Sequence, residues 1–306
     1  MMMPLRRLNE QRDPTPQIFI RQAHRIEMRV QNSIETSKFV ALAFVTLDRL
    51  FLAVYFVPIR KLFVLVQRRG EVSVPLDQHL KIGGIIFPDM DQCDFTGPFE
   101  ALVRTPNSSF MTLWKDKEPV RDMAGMRLLA DTTFEDAPQL DVLLVPGGYG
   151  QEALMQDEEV LGFIRQQALH ARYVYSVCTG ALLCGAAGLL EGRRATTHWT
   201  ALNVLPYFGA IPSEERVVID GTFISAGGVT SGIDGSLIVV SKLRGEAVAQ
   251  ELQLYMAYDP KPPFQAGSPA SAPAAVLEKV TERARSITEK RLASGAAYKA
   301  ARRATV

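Results

Sequence analysis

A chain of 306 residues, 47% hydrophobic and 22% charged, has ordinary globular composition, which excludes a disordered scaffold, a collagen-like repeat and a small disulfide-stapled domain. Its formal net charge of +1 offers no bulk attraction to nucleic acid or to an anionic membrane. The balance is uneven: residues 1–78 hold 12 basic and 7 acidic side chains, leaving 22 basic and 26 acidic for the rest.

The basic leader lacks the short basic start and uninterrupted apolar run of a secretory signal. The segment Phe39 to Val66 is strongly apolar, yet Asp48 and Arg49 fall near its middle and Pro58 interrupts its second half. A bilayer penalises such charges, so membrane association is disfavoured, with a buried helix pair or a loosely structured extension as the other readings. The organisation expected is an extension over 1–78, a catalytic domain over 79–260, and a proline-rich turn with a C-terminal helix over 261–306.

From Lys81 onward, short apolar runs bounded by turns alternate with longer periodic segments, the pattern of an α/β layer fold. Strands are predicted at 82–88, 109–115 and 173–177, and a strand or extended connection at 126–134. The run DVLLVPGGYG (141–150) reads as a fully buried strand ending in a tight turn. Helices are predicted at 95–103, 157–170 and 181–190. Further strands fall in 194–199 and 216–228, with strand and long-helix pattern through 231–258. A final amphipathic helix spans Ala274 to about Ala297, with packing or self-association as its expected role.

In a parallel sheet covered by helices, reactive groups gather in loops at the carboxyl ends of strands. The loops meeting that condition are Pro88–Asp94, Pro146–Gly150, Val177–Gly180 and Gly227–Ser231. In SVCTG (176–180), Cys178 stands between a predicted buried strand and a helix, where helix N–H groups favour thiolate; a buried inert cysteine is the competing reading. Asp94 is placed to exchange a proton with that thiol, or simply to cap the helix that follows it. Thr179 could orient water or the acid. Gly148 and Tyr149 in the GGYG turn could offer an oxyanion N–H and close backbone approach. His198 in TTHW reads as a base or as a hydrogen-bonded structural imidazole, and Val229 in the GGVT loop as part of the pocket rim.

Cys93, Cys178 and Cys184 form neither a disulfide framework nor a CxxC pair, and His24, His79, His170 and His198 form no ligand cluster. A reducing, cytoplasmic setting is expected, without a metal. The PGGYG turn departs from the dinucleotide GxGxxG pattern, and no phosphate-binding P-loop motif is present.

The motifs DFTGPFEAL, DVLLVPGGYG, SVCTGALLCGAAGLLEGRRATTHW, VVIDGTFISAGGVTSGID and PPFQAGSPASAP together resemble the isonitrile hydratase branch of the PfpI-like, class I glutamine amidotransferase-like superfamily over about residues 82–297. The resemblance implies a flavodoxin-like three-layer sandwich with a mostly parallel central sheet and a cysteine nucleophile elbow. It implies a cofactor-free homodimer that adds water to an isocyanide to give an N-substituted formamide, with a place in secondary metabolism. Carried over by motif, Cys178 is the nucleophile, Asp94 the acid–base group and Thr179 an assisting residue.

Thr179 stands where PfpI-like peptidases have histidine, and Asp94 where glyoxalase-like members usually have Glu. Cys93 and Val229 replace aliphatic residues common in the branch. The alternatives are another cofactor-free thiol activity, such as a glyoxalase-like one, or a non-enzymatic regulatory or redox-binding role. The segment after Tyr258 is too short for the helix-turn-helix module carried by some relatives, so no nucleic-acid partner is expected.

Overall fold

The computed structural model describes residues 39–43, 54–58 and 73–304, and the chain divides into two compact units, residues 1–70 and 71–306. In the first unit, β1 (Phe39–Ala43) pairs antiparallel with β2 (Val54–Pro58). These two stretches are therefore strands, not the helix pair offered as one reading of the sequence; the rest of that segment lies outside the described residues. No helix among the described residues is long and apolar enough to cross a membrane.

The second unit is built on seven strands. β3 (Leu80–Ile85), β4 (Ser108–Trp114), β7 (Thr132–Thr133), β8 (Val142–Val145), β9 (Tyr173–Val177), β12 (Val217–Asp220) and β13 (Phe223–Ala226) take the spatial order β12-β13-β9-β8-β3-β4-β7. All neighbours pair parallel except β12 with β13, which form a hairpin edge. Two small ladders lie outside this sheet: β5 (Val120–Arg121) with β6 (Arg127–Leu128), and β10 (Arg194–Ala195) with β11 (Ile211–Pro212). The stretch expected as a strand or extended connection at 126–134 thus holds β6 and β7.

The central strands are buried on both faces, so they read as continuous apolar runs: every residue of VLLV in β8 is buried. Helices α1 (Gln92–Leu102), α2 (Gln151–Leu154), α3 (Glu158–Ala168) and α4 (Gly180–Ala186) follow β3, β8 and β9, and α5 (Ser231–Arg244) follows β13. α1 packs on α5 and α3 on α4, so helices layer over a flavodoxin-like mixed sheet.

Several elements differ from the sequence expectation. The long segment 231–258 holds no strand and is helical as far as Tyr255, but it breaks in two where Gly245 adopts φ 92° between α5 and α6 (Glu246–Tyr255). The strand expected over 194–199 shrinks to β10, and a 3-10 helix runs from Trp199 to Phe208. The last helix, α7 (Ala274–Ala304), is longer than expected and packs against that 3-10 helix.

Arg244, 6% exposed at the end of α5, fastens residues 74–78 to this unit. It donates to the carbonyls of Val74, Pro75, Gln78, Pro106 and Asn107. Replacing it leaves several of these acceptors without a donor, and each buried unpaired polar group costs about 1–3 kcal/mol. Arg244→Met is expected to lower unfolding stability by about 3 kcal/mol, read as a lower urea midpoint.

Candidate active site

Three neighbouring strands decide which loops meet. β9, β8 and β3 lie side by side and run parallel, so their carboxyl ends bring Cys178, Gly147 and Asp94 to one edge of the sheet.

Asp94 lies in the first turn of α1 and is fully buried. Capping of α1 falls to Asp91, whose Oδ1 accepts the Cys93 N–H at 3.0 Å. The reading of Asp94 as only a helix cap is thereby corrected: the cap position lies three residues earlier, and Asp94 turns inward. Its Oδ2 accepts the Gly147 N–H at 3.0 Å, while Oδ1 is buried with no well-formed hydrogen bond. Burial, reinforced by the nearby Asp91 carboxylate, raises the Asp94 pKa to about 8, against the opposing pull of Cys178 and the Gly147 N–H. At neutral pH it therefore carries a proton.

Cys178 follows β9 directly and precedes α4, with φ 54°. A non-glycine residue pays roughly 1–2 kcal/mol for this left-handed conformation. Two hydrogen bonds hold it: the Cys178 N–H donates to Ala226 O at 2.9 Å, and Thr197 Oγ1 donates to Cys178 O at 2.8 Å. Burial and the Asp94 charge push the thiol pKa well up, while the Thr179 N–H and the Arg291 guanidinium favour thiolate. Cys178 and Asp94 interact directly, so they titrate as a pair. Cys184 sits fully buried in α4, its pKa also raised by desolvation, as a packing residue.

The Gly147–Gly148 turn joins the two groups. A β-carbon on Gly147 would stand 2.5 Å from Thr179 N and 2.9 Å from Asp94 Oδ2, and one on Gly148 would stand 2.3 Å from Asp91 N. Gly148 also holds φ 129°. Its N–H, expected to face developing negative charge, instead donates to Thr179 Oγ1 at 3.1 Å. That corrects two expectations: Gly148 has no vacant donor, and Thr179 spends its hydroxyl on the turn.

The remaining sequence candidates separate. Val229 and His198 line a cavity of about 1020 Å³ with Thr197, Gly227 and Thr288. His198 Nδ1 bonds Thr200 Oγ1 at 2.8 Å and caps the 3-10 helix. Burial, then Arg291, pushes its pKa down to about 4, so it is neutral at physiological pH. Tyr149 lies half exposed in a different cavity of about 420 Å³, with Asp89, Glu152 and Lys290. Sequence reasoning missed Asp91, Thr197, Gln151 and Arg291, none of which carried a local signal; Gly147 was legible as the first glycine of the turn after the buried strand. Among the described residues, no group of three or more His, Cys, Asp or Glu side chains could hold a metal.

A flavodoxin-like sheet with a buried Cys–Asp pair at the ends of two strands that flank β8 defines a class of cysteine-bearing α/β proteins. The profile of the DJ-1/PfpI family matches residues 81–242. The chain is 51% identical over 205 residues to an isonitrile hydratase of Pseudomonas putida, spanning 67% of this chain and 90% of that protein. A THiJ/PfpI family protein of Pseudomonas syringae superposes with TM-score 0.71 at 39% identity, covering 72% of this chain and 93% of that one. Drosophila melanogaster DJ-1beta, at 19% identity and TM-score 0.53 over 59% of this chain and 98% of its own, shares the fold. The chain belongs to the DJ-1/PfpI family.

A carboxyl with a raised pKa favours its proton in the folded state, so its contribution to stability is complete at low pH and is lost as pH rises from about 4 toward about 8. Asp94→Asn removes that loss. The variant is expected to gain at least about 2 kcal/mol over the wild type at pH 9 and little at pH 4, by urea unfolding at both, since a tenfold change in proton affinity is worth about 1.4 kcal/mol.

Proposed function

We propose that the protein hydrates isocyanides to N-substituted formamides, with Cys178 as nucleophile on a strand-to-helix elbow and Asp94 as general acid and base. The observation that carries this reading is the fully buried Asp94 carboxyl interacting with Cys178, in a chain 51% identical to an isonitrile hydratase along 90% of that protein's length.

Isocyanide chemistry suits such a site because both new bonds form at one carbon. The Cys178 thiolate attacks the terminal carbon while Asp94 delivers its proton to that same carbon, giving a thioimidate, R–N=CH–S–Cys178. The Asp94 carboxylate then takes a proton from water as hydroxide adds to the carbon, and passes that proton to nitrogen. The resulting R–NH–CH(OH)–S–Cys178 collapses: the thiolate leaves, the hydroxyl proton returns to Asp94, and R–NH–CHO departs. No charge accumulates on a carbonyl oxygen in the first step, so a turn whose N–H groups are already engaged is compatible with the chemistry. Thr179 acts by holding that turn and by directing its backbone N–H at the sulfur. The cavity lined by Thr197, His198 and Val229, where the Thr197 hydroxyl also bonds Cys178 O, is our candidate for the room taken by the substituent on nitrogen.

A homodimer is part of this proposal. Leu254, Tyr255 and Phe264 are each more than 70% exposed, apolar surface that a second copy could cover; light scattering on the full chain is expected to report twice the monomer mass.

Formamide production from a panel of alkyl and aryl isocyanides, followed by NMR, tests the reading. Wild type is expected to turn over, Cys178→Ala to lose essentially all activity, and Asp94→Asn to lose about a hundredfold or more. Turnover of a dicarbonyl with none of any isocyanide would replace hydration by a glyoxalase-like activity.

A further inference from the structure

Arg291 projects from α7 into the protein and is only 3% exposed. Its Nη2 donates to Gly148 O at 2.9 Å and lies 3.5 Å from Thr179 Oγ1, and its Nε donates to Gln151 Oε1 at 3.1 Å. All three acceptors are neutral oxygens, and two belong to the residues that shape the cysteine site. Such burial opposes the positive charge, and the groups offsetting it are Cys178, Tyr149 and Glu152. Glu152 is itself engaged by Ser294 Oγ at 2.7 Å. The groups around the thiol are Asp94 from α1, with Asp91 behind it, Arg291 from α7, and the Thr179 N–H at the start of α4.

We propose that Arg291 is a positioning residue of the active site: it clamps the Gly148 carbonyl and supplies, from the C-terminal helix, the buried positive charge that the Cys178 thiolate requires. This rests on Cys178 being the nucleophile. An ionised sulfur in a dry site needs a compensating charge or several donors. The carboxyl beside it works in the opposite sense, since an ionised Asp94 repels a thiolate. Arg291 breaks that conflict by favouring the state with the charge on sulfur and the proton on Asp94, the arrangement from which addition to an isocyanide starts. By this inference the C-terminal helix, whose sequence suggested only packing or self-association, completes the site.

The test is the pH dependence of Cys178 alkylation by iodoacetamide in the full chain, together with kcat and KM on a reactive isocyanide. Arg291→Gln keeps a donor but removes the charge. It is expected to raise the alkylation midpoint by about one pH unit or more and to lower kcat at pH 7 at least about tenfold with KM little changed, one unit being tenfold in thiolate fraction. Arg291→Lys restores the midpoint. Should Arg291→Gln fail to fold, Gln151→Glu decides: it sets a carboxylate against the guanidinium, keeps the clamp, and is expected to raise the midpoint in the same direction.

Tyr298→Leu loosens the same helix by removing its ring contact with Phe208 and is expected to lower the melting temperature alone. Wild-type midpoints in Arg291→Gln and in Gln151→Glu, or an equal rise in Tyr298→Leu, would overturn the role of Arg291. Retained turnover in Cys178→Ala would instead overturn the nucleophile assignment, so the two failures are distinguishable.

Discussion

The site depends on a turn that tolerates no side chain. Gly147 lies between Thr179 and Asp94 with its N–H on the carboxylate, and a single added carbon would collide with both neighbours. Because that space is empty, the strand carrying the acid loop and the strand carrying the cysteine can sit on either side of β8 with their ends in contact. Acid, turn and sulfur thus form one buried unit, and the desolvation that results is what holds Asp94 protonated.

That burial creates a tension between stability and reactivity. A carboxyl and a thiol enclosed together both drift toward their neutral forms, and a neutral thiol is a poor nucleophile. Backbone geometry counters part of this: the strained Cys178 conformation, held by Ala226 O and the Thr197 hydroxyl, lets the Thr179 N–H reach sulfur. A cation brought from a distant part of the chain acts in the same direction. Strain, burial and charge compensation each lie at a different link, yet all act on the same sulfur.

Legibility in the sequence followed the range of the interaction. The apolar VLLV run and the small-residue turn after it marked a buried strand and a tight turn without reference to anything else, and SVCTG marked the carboxyl end of the next strand. Helix ends were less legible. Asp91 and Asp94 are both plausible caps by composition, and only the backbone at Asp91, φ −83° and ψ 111°, separates them. Likewise, neither residue type nor spacing discloses that the Gly148 N–H is consumed by Thr179, because the two are 31 positions apart.

What the sequence determined by itself was the α/β alternation and the strand-end turns, with Cys178 and Asp94 as candidates on them, since these rest on local periodicity and on motifs a few residues long. Tertiary structure alone decided the spatial order β9-β8-β3, the depth to which Asp94 is buried, and the arrival of Arg291 at a turn 143 positions away in the chain. A local pattern can say which face of a helix is apolar. It cannot say that one cation on a largely exposed helix points inward, because that depends on which carbonyls the folded chain leaves waiting there.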